Sequence, residues 1–207
     1  MNSEIYKLYA VTDRNLSKNF FGELEEAVKA GVTLVQLREK NLAYDEFTEL
    51  AKQVKKLLAK YNVPLIINDN IDVAIAVDAD GVHLGQSDMK PEQARKILGK
   101  NKIIGVSART IEQAQTAYKN GADYIGSGAV FGTSTKKDAK KLSLEEFSSV
   151  CKSVPIPVVA IGGVTAENIE QLEGTGASGV AVVSAIFGQP DITEAVNSIL
   201  NIANKIF

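Results

Sequence analysis

One cysteine, Cys151, stands in the 207-residue chain. It rules out an intramolecular disulfide framework and a cysteine-rich zinc site. A reducing compartment is the easier setting for such a chain. One histidine, His83, rules out every site that needs two, the H-E-x-x-H metalloprotease among them. Neither sign of charge dominates: 23 Lys and Arg face 25 Asp and Glu, a net charge of −2. That removes any electrostatic case for general nucleic-acid or membrane-surface binding. No apolar run approaches the length of a membrane span. The start, MNSEIYKLYAVTDR, lacks the apolar core of a signal peptide. The expected address is the cytoplasm. The sequence sets no oligomeric state and leaves room for a homo-oligomer.

What remains is ordinary globular material, 45% hydrophobic and 23% charged, long enough to bury a real core. Short β-rich runs alternate with longer amphipathic ones. Strands are expected over 7–11, 34–38, 65–68, 81–84, 103–106, 124–126, 157–161 and 179–183. Several, such as PLII, PVVAI and GVAVV, are continuously apolar, as parallel strands buried on both faces are. Between them Phe47, Leu50, Ala51, Val54 and Leu57 or Leu58 make one helical stripe. Pro91 stands at a first helical turn. Thr110 and Thr165 read as N-caps, and Ser143 with Glu146 as a capping box. Gly31, Gly121 and Gly176 recur between a helix end and a strand, where a left-handed residue is needed. Eight strand–helix units argue for one (β/α)₈ barrel spanning 1–207. A doubly wound sheet is the rival, but no GxGxxG follows the first strand.

Barrel chemistry sits at the C-terminal strand ends, and polar residues gather there. Asp69 and Asp88 follow adjacent strands, which run roughly 4.8 Å apart. Either alone reads as a cap or turn residue: Asp69 before a helix starting near Asn70, Asp88 before Pro91. Together, with no His or Cys beside them, they suit Mg²⁺, which keeps water and binds substrate phosphates. Arg38, Lys40 and Lys136, with Asn68 and Ser107, could hold a diphosphate. Thr133, Ser134 and Thr135 add hydroxyls beside Lys136. Gly162–Gly163 before Thr165 allows either an anion at a helix start or a plain tight turn. His83 and Cys151 read as structural; Tyr9 could stack on a ring or pack, and packing is the expected role.

The segments YAVTDR, VQLREK, LIINDN, DGVHLGQSD, GVSART, GTSTKKDA, AIGGVTAENI and AVVSAIF occur in that order. Together they resemble the thiamine-phosphate synthase family, also called thiamine-phosphate pyrophosphorylase, over about residues 9–187. The resemblance implies a (β/α)₈ barrel, Mg²⁺, and a transfer reaction. The diphosphate of 4-amino-5-hydroxymethyl-2-methylpyrimidine condenses with 4-methyl-5-(2-phosphoethyl)thiazole, giving thiamine phosphate and pyrophosphate. It implies that Gln36, Leu37, Arg38, Glu39, Lys40, Asn68, Ser107 and Lys136 bind the pyrimidine diphosphate. It assigns Asp69 and Asp88 to Mg²⁺, and Thr133, Ser134, Thr135, Gly163, Val183 and Ser184 to the thiazole phosphate. Where the family pattern leads one to expect Pro, Gly132 stands, and it loosens the loop backbone.

The chemistry agrees with a site that has no nucleophilic His or Cys. The thiazole nitrogen already carries a free lone pair. The hard step is departure of pyrophosphate, and Mg²⁺, Arg38, Lys40 and Lys136 would neutralise it while Ser107 bonds its oxygens. Ser107, Lys136 and Arg38 are therefore the expected catalytic residues. A thiazole tautomerase on the same barrel would carry a Ser-x-His pattern where Ser107-Ala108-Arg109 stands. A sugar-phosphate isomerase would not need Asp69 with Asp88, and a non-catalytic precursor-binding protein would not need the diphosphate residues.

Overall fold

The structure is a computed structural model that describes residues 3–132 and 141–207. Eight parallel strands close into a barrel in chain order. They are β1 (Leu8–Val11), β2 (Leu34–Leu37), β3 (Leu65–Asn68), β4 (Gly81–Leu84), β5 (Ile103–Ser107), β6 (Tyr124–Gly128), β7 (Val158–Ile161) and β8 (Gly179–Val182). The expected eight strands are all present, with ends differing by one or two residues, the usual uncertainty of element boundaries.

Six helices follow the first six strands: α1 (Phe20–Ala30), α2 (Tyr44–Ala59), α3 (Ile71–Ala76), α4 (Pro91–Leu98), α5 (Ile111–Lys119) and α6 (Leu144–Lys152). Local chemistry explains their ends. Thr110 accepts from the Gln113 amide at the head of α5. Ser143 and Glu146 make both bonds of a capping box at α6, worth about 1 kcal/mol. Pro91 opens α4 at a position whose N–H needs no partner. In α2 the residues Phe47, Ala51, Val54, Leu57 and Leu58 are buried as one stripe.

The segment after β7 departs from expectation. No α-helix begins at Thr165; only a 3₁₀ turn, Ile169–Leu172, forms. Asn168 is the reason. Its Oδ1 accepts from the Thr165 amide and its Nδ2 donates to the Gly163 carbonyl, both within 2.9 Å. A side chain that bonds the local backbone this way competes with the helix ladder. After β8 come a one-turn helix, α7 (Ser184–Phe187), and the long α8 (Ile192–Ile206).

Strand alternation divides the core in two. Leu8, Ala10, Val35, Leu37, Leu65 and Ile67 point outward and pack under the helices. Tyr6, Tyr9, Leu34, Ile66, Ile103, Tyr124, Val159 and Ala181 fill the barrel interior. An N-terminal 3₁₀ turn, Ser3–Tyr6, helps fill it, with the Tyr6 ring 4.8 Å from that of Tyr124. Among the described residues, no helix is long and apolar enough to cross a membrane.

Candidate active site

The inward parity of each strand carries past the apolar layer into polar residues. Two positions beyond Leu34 is Gln36, and two beyond that is Arg38. Two beyond Ile66 is Asn68. His83 lies two beyond Gly81, and Ser107 four beyond Ile103. Strand register places neighbours together: Asn68 pairs with His83, and His83 with Gly105. Gln36, Arg38, Asn68, His83 and Ser107 line a cavity of about 740 Å³ at the C-terminal ends of the strands, a volume suited to a small organic ligand. A second depression, lined by Tyr44, Asp72, Ile75 and Ala76, lies on the outer helical layer, away from this cluster.

The cavity floor is a chain of buried polar groups. The Gln36 side-chain amide donates to the Tyr9 hydroxyl over 2.7 Å. The Tyr9 and Tyr124 hydroxyls lie 2.8 Å apart. The Tyr124 hydroxyl is 2.8 Å from His83 Nδ1, and His83 Nε2 is 2.9 Å from the Ser107 hydroxyl. Burial holds the Tyr9 and Tyr124 phenols well above their ordinary pKa, so both stay neutral donors. Gly105 makes this arrangement possible: a Cβ there would collide with the Tyr124 ring and hydroxyl. Tyr9 does pack, in the inner core layer, and it also lines the cavity with His83, a place that reading His83 as merely structural leaves out. Their inward parity, shared with Gln36 and Ser107, was the available signal.

Asp69 and Asp88 both line the cavity. Asp69 is not a helix cap; Asn70 caps α3, accepting from Val73 N. Asp69 instead stands at φ 62°, and its Oδ2 accepts from Asn68 Nδ2 over 2.6 Å. A non-glycine residue at positive φ beyond a strand end is where strained functional residues collect. Asp88 does serve its turn: Oδ2 accepts from the Gly85 amide over 2.6 Å. Among the described residues, no three His, Cys, Asp or Glu side chains gather as a metal cage.

Arg38 and Lys40 line the same cavity, and Arg38 is tied by its amide to the Thr12 hydroxyl over 3.1 Å. Leu37 and Glu39 are not brought there. Leu37 is buried in the outer core layer, and Glu39 forks onto Arg14 at 2.6 and 3.2 Å. Across the rim, Gly163, Val183 and Ser184 line the wall. Gly162 and Gly163 stand at φ 87° and 69°, so the Gly-Gly pair is a turn that only glycine makes easily. The expected α-helix start behind it is absent; the nearby helix is α7, beginning at Ser184. Gly132 stands at φ 81°, a value closed to proline. Thr133, Ser134, Thr135 and Lys136 lie outside the described residues. Cys151 is buried in α6, and burial pushes its thiol up to about 12, consistent with a core residue.

A closed eight-stranded parallel barrel, with a polar, cation-bearing cavity at its strand C-termini, is the architecture of the (β/α)₈ enzymes. The family described as thiamine monophosphate synthase matches residues 8–186, and the chain belongs to it. A thiamine-phosphate synthase of Ruminiclostridium cellulolyticum is 53% identical over 205 residues, 98% of each chain. One of Clostridium acetobutylicum is 50% identical over 207 residues, 99% of this chain and 98% of that one. The solved thiamine phosphate pyrophosphorylase of Pyrococcus furiosus superposes with a TM-score of 0.92 at 40% identity, covering 99% of this chain and 98% of the other. A 3-hexulose-6-phosphate synthase at 20% identity, with a TM-score of 0.73, shares the fold alone.

Proposed function

We propose that this chain is a thiamine-phosphate synthase. It transfers the pyrimidine methylene of 4-amino-2-methyl-5-(diphosphooxymethyl)pyrimidine to the ring nitrogen of 4-methyl-5-(2-phosphoethyl)thiazole, releasing pyrophosphate. One observation carries the reading beyond family membership. A single cavity joins Arg38, Lys40, Asn68, Ser107, Asp69 and Asp88 on the β2–β5 side to Gly163, Val183 and Ser184 on the β7–β8 side. Two phosphorylated reactants need two anion-binding halves facing one space. Loops after strands 7 and 8 with a short extra helix are a recurrent phosphate seat in such barrels.

Asp69 and Asp88 fit Mg²⁺. They are hard oxygen donors, only two in number, with Asp69 Oδ2 held by Asn68 Nδ2 and Asp88 Oδ2 by the Gly85 amide; a two-carboxylate set suits an ion that keeps water and takes diphosphate oxygens. When bound, Mg²⁺ neutralises charge on the diphosphate. The chain's own groups do the rest. Arg38 and Lys40 attract the diphosphate and favour its departure as charge builds on it. Ser107 donates to its oxygens, and the barrel floor holds the pyrimidine while the thiazole approaches from the β7–β8 side. Lys136 adds a further cation, and Thr133, Ser134 and Thr135 add donors for the thiazole phosphate. The partners are these small molecules, with neither nucleic acid nor membrane, and the address is the cytoplasm. Incubating both substrates with Mg²⁺ should yield thiamine phosphate and pyrophosphate in equal amounts. Absence of product across pH and Mg²⁺ concentration overturns the reading.

A further inference from the structure

The polar chain on the cavity floor has a property that its distances alone do not state. It links five groups by four contacts: Gln36 to Tyr9, Tyr9 to Tyr124, Tyr124 to His83, and His83 to Ser107. Each phenol and hydroxyl has one proton to give, and a neutral imidazole also has one. We propose that the chain is polarised from Gln36 to Ser107, and that His83, as the neutral Nε2–H tautomer, is a positioning residue that turns the Ser107 hydroxyl into a donor toward the ligand.

Proton counting sets the direction. The Gln36 amide nitrogen donates to the Tyr9 oxygen. Tyr9 is 1% exposed, so its own proton needs a buried acceptor. The Tyr124 oxygen meets that need at 2.8 Å. The Tyr124 proton then goes to His83 Nδ1, which must be bare to receive it. The ring proton is left on Nε2 and donates to the Ser107 oxygen. Four contacts use four protons, and the Ser107 proton remains to face the cavity. A reversed chain would begin at Ser107, place the ring proton on Nδ1, and leave Ser107 only its lone pairs to offer the ligand. Diphosphate oxygens accept and do not donate, so only the first direction serves them. This ligand half rests on the proposed diphosphate substrate; the tautomer half does not.

The sequence makes the test unambiguous, because the untagged protein contains one histidine. Long-range proton–nitrogen correlation NMR on protein carrying ¹⁵N-histidine therefore reports His83 alone. At neutral pH and without ligand, Nε2 should be protonated and Nδ1 bare. A protonated Nδ1, alone or in an imidazolium, overturns the proposal. Tyr124→Phe removes the donor that keeps Nδ1 bare. The pattern should move toward a mixture of tautomers, and kcat should fall about tenfold, the size of one hydrogen bond. KM for the thiazole phosphate should stay within about twofold. Tyr9→Phe keeps the Tyr124 hydroxyl and should keep the tautomer. If Tyr124→Phe does not fold, His83→Gln and His83→Leu stand in for it. The Gln amide can still donate to Ser107, so it should retain about tenfold more turnover than Leu; equal loss in both counts against positioning. Wild-type protein with the expected tautomer but no thiamine phosphate would remove the substrate reading and leave the polarity standing.

Discussion

Asn68 donates its side-chain amide to Oδ2 of Asp69 over 2.6 Å, while Asp69 stands in the left-handed region at φ 62°. The neighbouring strand end supplies Asp88, fixed by the Gly85 amide. If the pair holds Mg²⁺, the charge of Asp69 matters more than its shape. Asp69→Asn keeps a residue type that tolerates positive φ, so thermal stability should change by no more than about 0.5 kcal/mol. Turnover should fall about 10²-fold, and more Mg²⁺ should be needed for half-maximal rate. Asp88→Ala should lose turnover similarly, with some stability lost from its turn. Full activity of either variant in a chelator would remove the metal assignment.

Arg38 and Glu39 are adjacent in sequence and opposite in role. Arg38 lines the cavity, whereas Glu39 forks onto Arg14. Arg38→Ala should therefore reduce turnover about 10²-fold. Glu39→Gln weakens a partly exposed ion pair, worth at most about 1 kcal/mol, and turnover should stay within about twofold. Steady-state kinetics on the two variants separates them. Equal losses would return Glu39 to the substrate-binding set.

The fold was legible because eight buried parallel strands and their glycine-ended helices repeat one grammar. The helix after β7 was not, because Asn168 looks like an ordinary helical residue until its side chain is seen bonding Gly163 and Thr165. The site was legible where polar residues end an apolar strand, as at Arg38, Asn68 and Ser107. A motif read as a block hides the parity of its side chains, since strand alternation sends those of Gln36 and Arg38 inward and that of Leu37 outward. The inward parity of His83 was readable, but its hydrogen-bond partners were not. A lone strand histidine carries no sequence signal of its partners, and Tyr124 lies 41 residues away.

The buried tyrosines should shape alkaline unfolding. Burial raises the phenols of Tyr6, Tyr9 and Tyr124 above the ordinary value of about 10. A group whose folded pKa is raised contributes stability that is full below its unfolded pKa and is lost as pH rises toward the folded one. Stability should therefore be undiminished by these groups up to about pH 10 and fall above it. Phenolate absorbance from these three of the six tyrosines should rise together with loss of the far-ultraviolet circular dichroism signal. Their ionisation ahead of any loss of structure would contradict the buried network.

Gly163 and Ser184 together test the thiazole-phosphate half, but they are not equivalent probes. A Cβ on Gly163 would collide with the Gly132 carbonyl oxygen, and Gly163 stands at φ 69°. Even Gly163→Ala must shift the backbone after β6, and it should destabilise the fold by about 2 kcal/mol. Both substrates could then lose affinity through the displaced loop, so this variant cannot assign the phosphate. Ser184 offers the cleaner measurement. It opens α7 and lines the cavity. Ser184→Ala removes one hydroxyl and favours helix, so the fold should keep its stability. KM for the thiazole phosphate should rise about tenfold, the size of one hydrogen bond to an ionised group, while binding of the pyrimidine diphosphate holds within about twofold. Calorimetric titration of each ligand into the variant reads both. A selective loss of the pyrimidine diphosphate would exchange the two halves of the rim and move the leaving group to the β7–β8 side.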